Sequence, residues 1–384
     1  MSSFITCTIT FLLVTLHIFP LLTFAHPHPS RIPYSKITST SIFSLPTKPV
    51  RLAQPATFLG NITSSNTGDI RDLGYSGRIG NATILTFGDT IPCRSYQKGC
   101  FGLTAPNSAA IITSDDTPNT YTDVRLGPAG KHAQIFCPLL KEAGETAAWG
   151  LGLTNVIETG ENVGIVFFLR NNRTRTGTGI VGGGVARVTV NPHNSSDVTC
   201  TRSSEPDQVQ FWSRNEPYFG DHGAILAADG YIYAYGGAHG LNNSLFLTRV
   251  PRTQAQQSDA YEYWNGTAFT MQRLYNPTPL QAVFSSGQGS IVYSKLYQQY
   301  LYFKPACPGA TCINVQSSER PEGPWTKGRT IWGSAQNPDH LQMYAPVVQT
   351  KWSNDDGSSL MLMYTGRKKG VGNILQGINL TFTL

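Results

Sequence analysis

Two aspartates, Asp72 and Asp89, are spaced to meet. Between them Gly80-Asn81 is flanked by Ile79 and by the β-prone run Thr83-Ile84-Leu85-Thr86-Phe87. A Gly-Asn pair in that setting reads as a two-residue hairpin turn, because both residues tolerate positive φ. Asp72 precedes Gly80 by eight residues and Asp89 follows Asn81 by eight. The hairpin therefore sets them opposite each other on one face, with carboxylates roughly 5–10 Å apart. Like charges opposed in this way destabilise a sheet unless something uses them. Acid–base chemistry is such a use, with one carboxyl group donating a proton and the other acting as base or nucleophile.

A third aspartate follows the same logic. Asp229-Gly230 is another hairpin signal, and Asp221 lies eight residues before Asp229, as Asp72 lies eight before Gly80. If innermost strands begin at one end of a central channel, the three aspartates converge there. The same end receives Trp149, Arg170, His222, His239, Gln288, Lys304, Gln342, Tyr344 and Arg367. Plainer roles compete for each. Aspartates at strand ends often only bond turn amides. His222 and His239 read as hydrogen-bonded pocket residues rather than metal ligands, and Trp149 and Tyr344 suit packing between sheets. No metal site and no cofactor is expected.

The elements that must position these residues recur along the chain. A strand starts at a Gly- or aromatic-rich site, turns, and returns as a strongly apolar strand. The apolar returns are Thr83–Phe87, Val163–Phe168, Tyr231–Tyr235, Tyr300–Phe303 and Leu360–Tyr364, each followed by one or two further strands. Five such units at intervals of roughly 60–75 residues predict a five-bladed β-propeller. A short strand at Thr57-Phe58-Leu59 would complete the last blade and close the ring. The composition agrees with an all-β chain: 38 glycines, 17 tyrosines and 18 phenylalanines against 14% charged residues. A β-sandwich is the competing fold, but two sheets would not explain five similar hairpins.

Phe87-Gly88-Asp89-Thr90, Tyr218-Phe219-Gly220-Asp221 with Asp229-Gly230-Tyr231-Ile232-Tyr233, and Met343-Tyr344-Ala345-Pro346 with Lys351-Trp352 resemble the domain-of-unknown-function family numbered 4185. The resemblance implies a five-bladed propeller akin to family 43 glycosidases. It also implies an endo-D-arabinanase-type activity carried by an early aspartate pair, which Asp72 and Asp89 match in spacing and context. The expected function is a glycoside hydrolase acting on a furanose-containing, arabinan-like glycan. Asp221 would tune the proton donor or be the reserve acid. Trp149 and Tyr344 would stack on a sugar face, and Arg170 or Arg367 would hold hydroxyls. The alternative is a lectin-like propeller that binds sugar without turnover; a cell-surface interaction protein needs only the blade loops.

Residues 1–25 read as a signal peptide, apolar from Phe4 to Phe24 and ending Thr23-Phe24-Ala25, with an uncleaved anchor as the alternative because no charged residue precedes Arg31. Residues 26–56 are a Pro/Ser/Thr-rich, flexible lead-in, and 57–384 a single propeller domain. Cleavage removes Cys7 and leaves six cysteines. Cys93/Cys100 and Cys307/Cys312 are close enough for local bridges, and Cys137–Cys200 follows by elimination. Seven sequons, at Asn61, Asn81, Asn172, Asn194, Asn242, Asn265 and Asn379, together with paired cysteines point to a secreted, extracellular glycoprotein. Net charge is +6, but the cations are scattered, and a nucleic-acid footprint would need a basic stripe. The expected partner is a poly- or oligosaccharide. Nucleic acid and stable membrane association after cleavage are not expected, and the protein is expected to be a monomer.

Overall fold

This computed structural model describes residues 48–384, apart from 92–104, 128–129, 239–240, 274–277, 284–286 and 369–371 and positions 114, 175, 178, 282, 334, 338 and 340. The proposed signal peptide, Cys93, Cys100 and His239 lie outside the described residues, as does the Asn242 side chain.

The described strands fall into five sheets in chain order. Blade 1 runs from the axis outward as Ile70–Ile79, Ala82–Ile91, Ser108–Ile112 and Thr120–Asp123, edged in parallel by Thr63–Ser64. Blade 2 is Trp149–Gly160, Val163–Asn172, Gly179–Asn191 and Asn194–Thr201, with Trp212–Ser213 also beside Gly179–Asn191. Blade 3 is Gly223–Leu226, Tyr231–Ala238, Leu241–Pro251, Glu262–Trp264 and Phe269–Thr270. Blade 4 is Ser290–Ser294, Gln299–Ala306, Cys312–Ser318 and Arg329–Gly333. Blade 5 is Gln342–Val348, Ser359–Lys368 and Gly372–Thr383, onto which Arg51–Leu52 and Thr57–Asn61 both pair.

Why the second strands are apolar without a break follows from the packing. Each is covered on both faces, so alternate residues serve different neighbours. In Val163–Asn172, Val166 and Phe168 join Ile84, Ile111 and Leu151 between blades 1 and 2, whereas Ile165 and Phe167 join Phe219, Ile232 and Phe246 between blades 2 and 3. In Ser359–Lys368, Leu360, Leu362 and Tyr364 face Leu301, Phe303 and Ile313 of blade 4, and Met361 and Met363 face Leu85, Phe87 and Tyr121 of blade 1. Tyr235, Leu247, Ile291 and Trp325 fill the space between blades 3 and 4. Each consecutive pair of blades thus has its own core, and blade 5 returns to blade 1. The architecture is a five-bladed β-propeller.

The strand Thr57–Asn61 sets Thr57 against Asn379 and Phe58 against Ile378, so the N-terminal segment supplies an outer strand of the last blade. Contacts of the propeller begin upstream of Thr57: Val50 is buried, and the Arg51 N–H donates to the Tyr297 hydroxyl at 3.0 Å. Two disulfides are present among the described residues, Cys137–Cys200 and Cys307–Cys312. No helix of the described residues is long and apolar enough to cross a membrane.

Candidate active site

The first hairpin turns at Gly80-Asn81, with Ile79 opposite Ala82 and Gly80 at φ 54°. Its register departs from the simple ladder near Asp72. Leu73 pairs with Phe87 while Tyr75 pairs with Thr86, which leaves Gly74 as an extra residue; Arg71 opposite Thr90 then restores the original register. Leu73 and Gly74 take up the bulge with φ of 75° and 81°. Asp72 therefore faces Gly88 and Asp89 together rather than Asp89 alone. A β-carbon at position 88 would lie 2.6 Å from Asp72 Oδ1, so only glycine leaves room for this carboxylate.

Asp72 keeps a solvent-reachable face but lies deep among protein atoms. Burial, and then the charge of Asp89, push its carboxyl up to about 7. The Tyr344 hydroxyl, which donates to Oδ2 at 3.1 Å, and the backbone N–H of Asp89 offset part of that rise. Asp72 Oδ1 has no hydrogen bond of ordinary geometry. Asp89 is placed differently: its Oδ1 accepts from Arg173 Nη1 at 2.6 Å, and both side chains are partly open to solvent. The pair thus combines a deeply set carboxyl group with an ion-paired one.

Asp221 sits on a two-residue turn between Gly220 and Gly223, not on the innermost strand itself. Flanking glycines at φ 91° and 129° allow this tight turn. Its Oδ1 accepts from Gln288 Nε2 at 2.8 Å, and His222 Nε2 lies 3.6 Å from Oδ2. Burial raises the Asp221 carboxyl, and His222 and Gln288 offset part of that. Burial lowers the His222 imidazole, which also donates to the Gly287 carbonyl, and it pushes Lys304 down to about 8. Tyr75 crosses the axis to join the groups. Its hydroxyl donates to the Asp221 carbonyl at 2.9 Å and receives the Gly289 N–H. One side chain of blade 1 thereby reaches the Asp221 turn of blade 3.

The remaining positions divide. Tyr344 is in contact with Asp72, and its hydroxyl is held well above the usual phenol range, chiefly by burial and then by the Asp72 charge. Arg367 is exposed opposite Gln342 and close enough to Tyr344 to act on it electrostatically. Arg170 is engaged elsewhere: it donates to Glu145 at 2.8 Å and Gln210 at 2.7 Å, with its guanidinium 5.1 Å above the Trp149 ring. Of the sequons, Asn61, Asn81, Asn194 and Asn265 are exposed, and Asn172 and Asn379 are half-buried. Among the described residues no group of three His, Cys, Asp or Glu side chains is placed to hold a metal ion.

Two residues of the cluster were not singled out from the sequence. Arg173 lies just beyond the end of Val163–Asn172, three residues past Arg170, where strand spacing alone does not choose between the two. Tyr75 escapes because strict alternation would send it to the face opposite Asp72. The left-handed residues Leu73 and Gly74 break that alternation.

Fold and cluster together define a propeller that carries carboxylate-centred hydrogen-bond and ion-pair contacts at the ends of its inner strands. The chain belongs to the family described as domain of unknown function DUF4185, whose model matches residues 67–369. No curated protein matches the sequence. Among solved structures, a candidate hydrolase from Bacteroides ovatus superposes with a TM-score of 0.57 at 13% identity, over 85% of this chain and 87% of that one. A protein described as a glycoside hydrolase gives 0.47 at 12% identity, over 86% and 92%. An exo-β-1,3-galactanase from Phanerochaete chrysosporium, holding β-1,3-galactotriose, gives 0.48 at 12% identity, over 84% and 63%. The first of these likenesses supports the propeller fold, and the fold alone.

Proposed function

We propose that the protein is a secreted glycoside hydrolase that cleaves a furanose-containing, arabinan-like glycan with Asp72 and Asp89 as its catalytic pair. The observation that carries this reading is the unequal environment of two adjacent carboxyl groups. Asp72, raised to about 7, retains a proton near neutral pH, whereas Asp89 is ion-paired with Arg173. Glycosidases divide labour in this way, one carboxyl group protonating the leaving oxygen and the other serving as base or nucleophile. Asp72 is then the proton donor and Asp89 its partner. Tyr344 holds the Asp72 carboxyl in place, and Gly88 leaves it space. Asp221, turned toward Gln288 and His222, is a substrate-orienting group. The exposed Arg367 and Gln342 at the rim would meet sugar hydroxyls, and Trp149 would offer a stacking face. The apolar leader, the sequons and the two disulfides support a secreted glycoprotein, which N-terminal sequencing of the mature product would test by a start at His26.

Incubation with a panel of furanose and pyranose polymers, followed by a reducing-sugar assay, tests the activity. Release from a furanose polymer is expected. Binding of polymers with no release from any of them would replace the hydrolase with a lectin-like protein.

A further inference from the structure

A groove of about 1110 Å³, slightly larger than the roughly 300–1,000 Å³ that takes a drug-sized ligand, has Asp69, Thr90, Ala105 and Pro106 along one side. Thr90, which lines it, directly follows Asp89 on the strand Ala82–Ile91, so the groove adjoins the stretch of chain that carries the pair. Its other wall comes from residues 125–127 and 132–147, which end two residues before Trp149. That wall is fastened along its length. Asp69 accepts from the Ala133 N–H at 2.7 Å and bonds His132 Nδ1 at 2.8 Å. Asn107 accepts from the Phe136 and Cys137 N–H groups and donates to the Cys137 carbonyl. Glu145 accepts from the Leu140 N–H, from Arg170 and from Arg202, and Cys137 is bridged to Cys200. The groove is therefore built before any ligand arrives.

Its charge is one-sided. Both carboxylates that line it are satisfied from within the protein, Asp69 by Arg71 at 3.6 Å and Glu145 by its two arginines. The cations that line it are not. Arg125 and Lys141 enter no ion pair among the described residues. Between them the surface is apolar, with Ile135 exposed and Phe136 beneath Arg125, whose guanidinium lies 5.9 Å from the ring. Alternating apolar area and single cations suit a chain of sugar faces that carries carboxylates at intervals. A guanidinium matches a carboxylate with two parallel hydrogen bonds.

The geometry points to this groove as the binding site for a uronate-bearing stretch of the glycan whose scissile bond lies at Asp72 and Asp89. The inference rests on the hydrolase reading for the position of the bond, but the ligand of the groove can be measured without turnover. In an Asp72→Asn background, which prevents cleavage during titration, calorimetry would compare polygalacturonate, neutral arabinan and dextran sulfate at low and high salt. Polygalacturonate should bind most tightly and lose about tenfold in affinity when Arg125→Gln and Lys141→Gln are added, at an unchanged unfolding temperature. Its affinity should also fall with salt. Equal binding of arabinan, tighter binding of dextran sulfate, or no effect of the two substitutions would each overturn the assignment. Failure of the wild-type protein to release reducing sugar from any polymer would instead remove the hydrolase reading and leave the groove's ligand measurable.

Discussion

The proposed chemistry can be read in the titration of one residue, Asp72. Its carboxyl is raised from an unfolded value near 4 to about 7, first by burial and then by Asp89. The folded state therefore holds the extra proton between those values. This contribution to stability is fully present below about pH 4 and lost as pH rises to about 7, with no further change above. Asp72→Asn should accordingly gain in unfolding temperature relative to wild type as pH rises from 4 to 7, by roughly 2 °C for each kcal/mol. Thermal scans across that range would check the sign; a constant difference would contradict it. With Asp72 as the proposed proton donor, kcat/KM is expected to fall above about pH 7. Arg173 lowers the Asp72 carboxyl, so Arg173→Gln should move that alkaline limb upward, and Arg173→Lys should largely restore it. A purely structural arginine would change the rate without moving the limb.

At the scale of elements, the first hairpin does the positioning. Gly88→Ala puts a methyl group 2.6 Å from Asp72 Oδ1, at an ordinary backbone conformation. The expected cost is about 1–3 kcal/mol of stability together with about a hundredfold loss of turnover, because the carboxyl must move. Gly77→Ala is the contrast: its β-carbon would lie 2.0 Å from the Val156 carbonyl, between the innermost strands of blades 1 and 2 and away from the site. Urea unfolding should show the larger loss for Gly77→Ala, and the surviving folded fraction should keep its specific activity. The hairpin was legible because Gly80-Asn81 states its turn, and the matched spacing of Asp72 and Asp89 was legible with it. The bulge was not. Leu73 adopts a left-handed conformation that its side chain disfavours, and it is held there by a hydrogen bond from its N–H to Thr365, more than 290 residues on in sequence. Nothing near Leu73 announces that partner, so Tyr75 and the contact with Gly88 stayed hidden. Arg170 illustrates the converse. Its strand position was readable, but its commitment to Glu145 depends on a loop fold that local pattern does not specify.

For the whole molecule, closure of the ring depends on the N-terminal segment. Arg51–Leu52 and Thr57–Asn61 both pair with Gly372–Thr383, and Phe58 stacks on Trp332 of blade 4 at 6.0 Å. Removal of residues 1–62 would expose the outer edge of blade 5 and the core beneath it. Calorimetry should show a fall of the order of 10 °C in unfolding temperature and a broader transition. An unchanged transition would mean that the ring is held closed by the blade-to-blade cores alone. The fivefold repeat was visible in the sequence because each second strand is buried on both faces and so reads as an unbroken apolar run. Outer strands such as Glu262–Trp264, Phe269–Thr270 and Arg329–Gly333 are short and partly exposed, and they carry no comparable pattern.

The central claim is that Asp72 and Asp89 are a catalytic pair, and the rate of reducing-sugar release by Asp72→Asn and Asp89→Asn, on a polymer that the wild type cleaves, tests it most directly. Each variant should lose between about a hundredfold and ten-thousandfold in rate while remaining folded. Wild-type rates in both would show that the chemistry lies elsewhere and that the pair is structural.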